Sequence, residues 1–422
     1  MQFNSLEYAQ EQDKKDSLSH FRTKFHFPKG SEGTELIYLC GNSLGLQPKN
    51  VKDYLQEELD DWSKYGVDGH TEGKHPWLPY HEFLTEKMAK IVGAKPLEVV
   101  IMNTLTSNLH LMMISFYNPT KERYKIVIES DAFPSDKYAV ESQLKFHDIN
   151  PKDGLIEWKP RAGENLCRLE DLEEILKKEG DKIALLMIGS TNYYTGQSFP
   201  LKKITELGHK YGCKVGFDLA HGAGNILPNL HDSGADFAVW CTYKYLNSGP
   251  GSLGGCFVHE RYANNRELKR FSGWWGHNKK TRFQMRDDFD VIPGAEGWQL
   301  SNPPILSMAA IRASLDIFDE AGMENLRAKS VKLTGYLEKL LKEISTSRIS
   351  IITPENPEER GAQLSIQVKN ADKRLFDKLT ESGVISDWRE PDVIRIAPAP
   401  LYNNFEDVFR FTQKLKAILE EE

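Results

Sequence analysis

Two apolar runs that each end in a charged residue constrain this chain more than any other feature. Lys214-Val-Gly-Phe-Asp218-Leu-Ala reads as a strand whose apolar part ends on an acid, and His221 follows three residues after it. Phe237-Ala-Val-Trp-Cys-Thr is a second such run, and it delivers Tyr243-Lys244 into a Gly/Pro-rich loop. Strands this continuously apolar are covered on both faces, so both belong inside a sheet with helices on either side. The consequence is an acid and a lysine at the ends of successive strands.

That pairing suits one cofactor, pyridoxal phosphate. A lysine forms its Schiff base, and an acid pairs with the pyridinium nitrogen so that the ring can take up electrons. A free lysine is protonated and a poor nucleophile, so it must be desolvated or held beside positive charge. Trp240, Phe237 and Val239 are expected to supply apolar walls, and His221 to hold Asp218 by a hydrogen bond. Either charged residue alone reads as an ordinary strand end. The Tyr-Lys pair, the Asp-x-x-His spacing and the glycine loop together favour the cofactor.

The rest of the chain repeats the strand-helix rhythm. Residues 125–129 and 183–188 are further apolar strands, 201–211 a short helix, and 51–63 a helix with Val51, Tyr54, Leu55, Leu59 and Trp62 on one face. The fold class is therefore α/β: a mainly parallel central sheet flanked by helices. After about residue 305 long helices at 305–320 and 324–345 lead to strands near 348–368 and 392–397 and a last helix at 405–420. These define a large domain at 51–304 and a smaller α+β domain formed by 1–50 and 305–422.

At 422 residues the chain carries a net charge of −7 with interspersed signs, which argues against nucleic acid or an anionic membrane as partner. Its five cysteines are odd in number and not closely paired, as expected of free thiols in a reducing compartment. The first twenty residues lack the apolar core of a signal peptide, and no apolar run approaches a membrane span. A cytoplasmic enzyme is expected.

Thr104, Thr106 and Ser107 open a helix at 103–116, and a helix start binds phosphate through free N–H groups and its dipole. Phe133-Pro134-Ser135-Asp136 follows the 125–129 strand; its aromatic is placed to stack on a pyridine ring and Asp136 to sit beside it. Gly249-Pro-Gly251-Ser-Leu-Gly254 has the dinucleotide pattern in the wrong context, with no βαβ start and no acid to read a ribose. Arg395, in the alternating segment Val393-Ile-Arg-Ile-Ala, suits a bidentate grip on a substrate carboxylate. The loops Gly273-Trp274-Trp-Gly-His277 and Ser301-Asn302-Pro-Pro304 suit an interface or a ligand wall. No HExxH, paired CxxC or G-x-S-x-G occurs, so no metal centre or serine nucleophile is expected.

Over nearly its whole length, from Gly41-Asn-Ser-Leu-Gly to Arg395-Ile-Ala-Pro, the chain resembles the kynureninase family. The motifs that carry this are Leu105-Thr106 with Asn108-Leu-His, Phe133-Pro-Ser-Asp136, Tyr194-Thr-Gly-Gln197, Phe217-Asp-Leu-Ala-His221, Tyr243-Lys244-Tyr-Leu-Asn, Gly273-Trp-Trp-Gly-His277 and Ser301-Asn-Pro-Pro304. The resemblance implies the fold type I of PLP-dependent transferases, and hydrolysis of L-kynurenine or its 3-hydroxy derivative to L-alanine and an anthranilate. It implies Lys244 as the catalytic lysine and Tyr243 as a phosphate ligand and proton-transfer group. Leu105 and Thr106 would bind phosphate, Phe133, Pro134, Ser135 and Asp136 would surround the ring, and Asp218 with His221 would serve the ring nitrogen. Trp274 and Asn302 would arrive from the second subunit of a homodimer. Arg395 would take the substrate carboxylate, with His70, Ser43 and Asn302 near the aryl end. One departure stands out: where some relatives have serine, this chain has Gly189, with the hydroxyl one place later on Ser190.

The competing readings are another PLP lyase of this fold, such as a cysteine desulfurase, or a protein that holds the cofactor without catalysis. A desulfurase needs a reactive cysteine on a mobile loop, whereas Cys256 lies in an apolar run. A non-catalytic binder predicts a damaged site, yet Lys244, Asp218 and Arg395 are all present.

Overall fold

The computed structural model describes residues 2–31, 33–344 and 346–421. Its centre is a seven-stranded sheet of β1 (Val99–Met102), β2 (Lys125–Glu129), β3 (Leu155–Trp158), β4 (Ile183–Gly189), β5 (Lys214–Asp218), β6 (Phe237–Cys241) and β7 (Gly254–Val258). The spatial order is β1-β7-β6-β5-β4-β2-β3. All pairs from β6 to β3 are parallel, and β7 runs antiparallel between β6 and β1.

Alternation along the strands builds the two core layers. Val127, Leu186, Val215, Phe217, Ala238 and Trp240 face one layer, with Leu84, Met88, Leu172, Leu176 and Ile204 from covering helices. Ile126, Ile128, Leu185, Met187, Phe237 and Val239 face the other, where α1 (Leu105–Phe116) and α2 (Pro134–Phe146) pack through Leu109, Met112, Phe116, Val140 and Leu144. The doubly covered sheet expected from the apolar runs is the sheet observed.

A second core belongs to an antiparallel sheet of β8 (Ile349–Ile351), β9 (Leu364–Val368), β10 (Asp387–Arg389) and β11 (Val393–Ile396), in the order β10-β11-β9-β8. Helices Met323–Glu343 and Phe405–Glu420 close it through Leu333, Leu337, Phe411 and Leu415. Ala9, Ile37 and Leu39 join this core, while Leu18, Phe21, Phe25 and Leu46 pack with the large one. Helix Ile305–Ala321 also sits in the large core, through Met308, Ile311, Leu315 and Phe318. We therefore place the boundary between the cores after Ala321 rather than at 305, because that helix buries its apolar face against helices Val51–Tyr65 and Glu82–Val92.

Candidate active site

The parallel strands end at one edge, and their last residues gather there. β2 ends on Glu129, β4 on Gly189 and β5 on Asp218, while β6 runs on to Tyr243 and Lys244. Of the expected residues, Leu105, Thr106, Phe133, Ser135, Asp136, Asp218, His221, Tyr243 and Lys244 line a single cleft at this edge. Pro134 is the first residue of α2 and shapes the helix start. Glu129, Thr191, Tyr193 and Ala220 line the cleft too. The sequence reading passed over them, although a strand ending on an acid at the edge that holds Asp218 is a usable signal for Glu129.

Asp218 is only 7% exposed, and its Oδ1 accepts the Ala220 N–H at 2.5 Å. Asp136 is buried beside it, and Asp136 Oδ1 has no hydrogen-bond partner among the described residues. Burial pushes both carboxyls up; for Asp136 the neighbouring charge of Asp218 pushes further, while a hydrogen bond from Asp136 offsets part of the effect on Asp218. The charged form is therefore disfavoured at both carboxyls, and more strongly at Asp136. Burial, then the charges of Lys244 and Arg395, push His221 well below its usual range, so its imidazole is neutral. The expected His221–Asp218 hydrogen bond is not found among the described residues. Ala220 and Asp136 hold the carboxylate instead, and the His221 ring meets Tyr245 edge-on at 6.3 Å.

Lys244 Nζ lies 5.7 Å from the centre of the Phe133 ring and 6.0 Å from that of Tyr243. Tyr193 meets Phe133 edge-on at 5.2 Å. These three rings are the apolar walls. Trp240, Phe237 and Val239 are not, because side chains inside a strand point into the two covered faces and cannot reach its end. Thr106 Oγ1 and Ser135 Oγ are 2.9 Å apart and join the starts of α1 and α2. Two sets of first-turn N–H groups without intrahelical partners thus border the cleft.

Arg395 is 1% exposed on β11. It donates through Nε to Asp387 Oδ1 at 2.6 Å and through a second bond to Oδ2, and through Nη1 to the Tyr193 carbonyl at 2.9 Å. It stands behind the cleft lining. Ser43, His70, Trp274 and Asn302 also lie outside that lining within one chain. The segment holding Ser43 runs against the lysine loop: the Gly45 N–H donates to the Tyr243 carbonyl at 2.9 Å, and a Cβ at Gly45 would lie 2.4 Å from the Lys244 carbonyl oxygen. His70 donates from its ring to the Val67 carbonyl at 2.9 Å, Trp274 is 42% exposed, and Asn302 is exposed. Ser190 Oγ is buried without a partner and faces Gly222, outside the cleft lining.

Residues 326–415 match the kynureninase C-terminal domain family. A kynureninase of Myxococcus xanthus (strain DK1622) is 57% identical over 413 residues, spanning 98% of this chain and 97% of its own length. The chain belongs to the kynureninase family. A kynureninase of Nematostella vectensis is 48% identical over 98% of this kynureninase-family chain and 94% of its own. Among solved structures, a cysteine desulfurase from Thermococcus onnurineus NA1 superposes with a TM-score of 0.73 at 17% identity, over 92% of this chain and 95% of its own. A C-DES mutant with glycine linked to its PLP cofactor gives 0.77 at 15% identity, over 94% and 98%. These likenesses speak for the fold, fold type I of the PLP-dependent enzymes.

The cleft of this kynureninase-family chain fits pyridoxal 5'-phosphate. Its lysine faces Phe133, its buried Asp218 lines the cleft, Asp136 Oδ1 lacks a partner among the described residues, and two helix starts meet at Thr106 and Ser135. The desulfurase reading fails on the thiols. Cys256 is buried in β7 and burial holds its thiol far above the usual range; Cys40, Cys213 and Cys241 are buried, and burial pushes the half-buried Cys167 up to about 12.

Proposed function

We propose that this protein is a pyridoxal 5'-phosphate enzyme that hydrolyses the Cβ–Cγ bond of L-kynurenine, or of its 3-hydroxy derivative, giving L-alanine and the corresponding anthranilate. The observation that carries the reading is the meeting of Lys244 and Asp218 in one cleft of a chain with kynureninase relatives over nearly its full length. When bound, the cofactor supplies an electron sink that stabilises charge first on the substrate Cα and then on Cβ.

The residues divide the remaining work. Asp218 pairs with the ring nitrogen, with Asp136 and neutral His221 beside it. The N–H groups of Leu105 and Thr106 and the hydroxyls of Thr106 and Ser135 hold the phosphate. Phe133 covers the ring. Lys244 Nζ moves the substrate α-proton. Burial, then the neighbouring Cys241, pushes the Tyr243 phenol above its ordinary range, so it is a proton donor at neutral pH. It donates toward the γ-carbonyl oxygen during hydration and cleavage. Arg395 receives the α-carboxylate.

The working unit is a homodimer in which Trp274 and Asn302 reach the neighbouring subunit's cleft, with His70 and Ser43 near the aryl end. Exposed Phe271, Trp274, Phe283, Met285 and Phe289 support this, since a loop so rich in exposed apolar side chains calls for a cover. No described helix is long and apolar enough to cross a membrane. Five unpaired thiols favour the cytoplasm. The test is direct. L-kynurenine added to the PLP-loaded protein releases a fluorescent anthranilate and alanine; sulfide from L-cysteine with no anthranilate would reverse the assignment.

A further inference from the structure

The mechanism above leaves one buried acid of the cleft without a role. Glu129 ends β2, is 4% exposed and lines the cleft beside Asp136 and Asp218. Its Oε2 accepts the Gly189 N–H at 3.0 Å, and no cation pairs with it among the described residues. A Cβ at Gly189 would stand 2.6 Å from Glu129 Oε1, so the missing side chain there is the space that the carboxyl occupies. Gly189 is also the register partner of Asp218 across β4 and β5. The acid, the glycine and the ring-nitrogen partner form one continuous unit.

We propose that Glu129 is a positioning residue whose carboxyl, seated in the room left by Gly189, sets the charge felt by the Asp136–Asp218 pair and by a cofactor bound against that pair. The proposal rests on the PLP reading of this cleft. Its physics is like-charge repulsion in a buried site: a charge on Glu129 disfavours ionisation of both members of the pair. The groups that face Glu129 are Asp218 from β5, Asp136 from α2, the Gly189 N–H from β4 and the Cys167 thiol from the segment after β3. Burial, then Asp218, pushes Glu129 up to about 7, so its charge changes within the neutral range. Positive charge on the bound cofactor gains from a charged Glu129 and loses from its removal.

The test is the visible absorbance of the PLP-loaded protein followed across pH, with cofactor retention after dialysis as a second readout. Glu129→Gln keeps an oxygen for the Gly189 N–H and removes only the charge. It should move the spectral midpoint down by about one pH unit, the scale of one nearby charge, and weaken cofactor retention above neutrality. Glu129→Asp should restore the midpoint toward that of the unaltered protein. Gly189→Ala, which presses a methyl group onto the carboxyl, should displace the midpoint as well and serves if the Gln variant folds poorly. A midpoint unchanged in both the Gln and the Ala variants would overturn the assignment of Glu129. Unaltered protein that takes up no PLP would overturn the reading beneath it instead.

Discussion

Asp387 grips Arg395 through both carboxylate oxygens, one from Nε and one from Nη2, and so fixes the orientation of the guanidinium. The Tyr193 carbonyl takes an N–H of Nη1. Arg395→Ala should raise KM about 10- to 100-fold, the worth of a lost charged hydrogen bond. Asp387→Ala leaves the charge but frees the side chain, and should raise KM by less while kcat changes little. Steady-state kinetics with L-kynurenine checks both; a KM unaltered in Arg395→Ala would remove that residue from the site.

Lys244→Ala should abolish borohydride trapping of PLP. Intact-mass measurement reads this without any turnover: the unaltered chain gains the reduced cofactor and the variant gains nothing. A persistent mass gain would assign the covalent role to another lysine.

Tyr243→Phe separates two roles that one phenol can fill. As a proton donor to the substrate, its loss should lower kcat about 10²- to 10⁴-fold with PLP still bound. A phosphate ligand alone predicts the reverse, a weaker hold on PLP and a nearly intact kcat. Cofactor titration beside kcat decides between them.

Asp236 offers a pH test of stability far from the chemistry. It is 1% exposed and accepts from Val215 N–H, His209, Arg261 and the Tyr262 hydroxyl. Burial would raise its carboxyl, but the hydrogen bonds from His209, Tyr262 and Arg261 outweigh that and hold it below the usual range. A carboxyl lowered in the folded state adds stability above the unfolded value of about 3.9 and loses it as pH falls through the folded one. Asp236→Asn should therefore cost about 3 kcal/mol or more at pH 7, seen as a lower Tm, and the gap to the unaltered protein should narrow below about pH 4.

Much of this was legible because buried parallel strands leave a plain trace. Ile183–Gly189 and Phe237–Cys241 have no polar face to confuse the period, and Asp218 and Lys244 were readable as strand ends for the same reason. The antiparallel β7 was not, since a short Gly-Gly-Cys-Phe-Val run carries no mark of direction. Glu129 escaped because an acid closing a strand resembles any solvated turn until burial is known. The partners of Asp218 escaped for a related reason. His221 was the obvious neighbour in sequence, while Asp136 reaches it from the first turn of α2. Asp387 is likewise eight residues from Arg395 yet meets it only through the pairing of β10 with β11.

The Gly45 N–H that bonds to the Tyr243 carbonyl has one further consequence, which concerns time. Gly45 and the lysine loop it clasps stand about two hundred residues apart along the chain. A contact between such distant stretches closes only after the intervening sheet has formed. The wall behind Lys244 is thus tied to a late, long-range closure, and the cleft is complete only once that closure has been made.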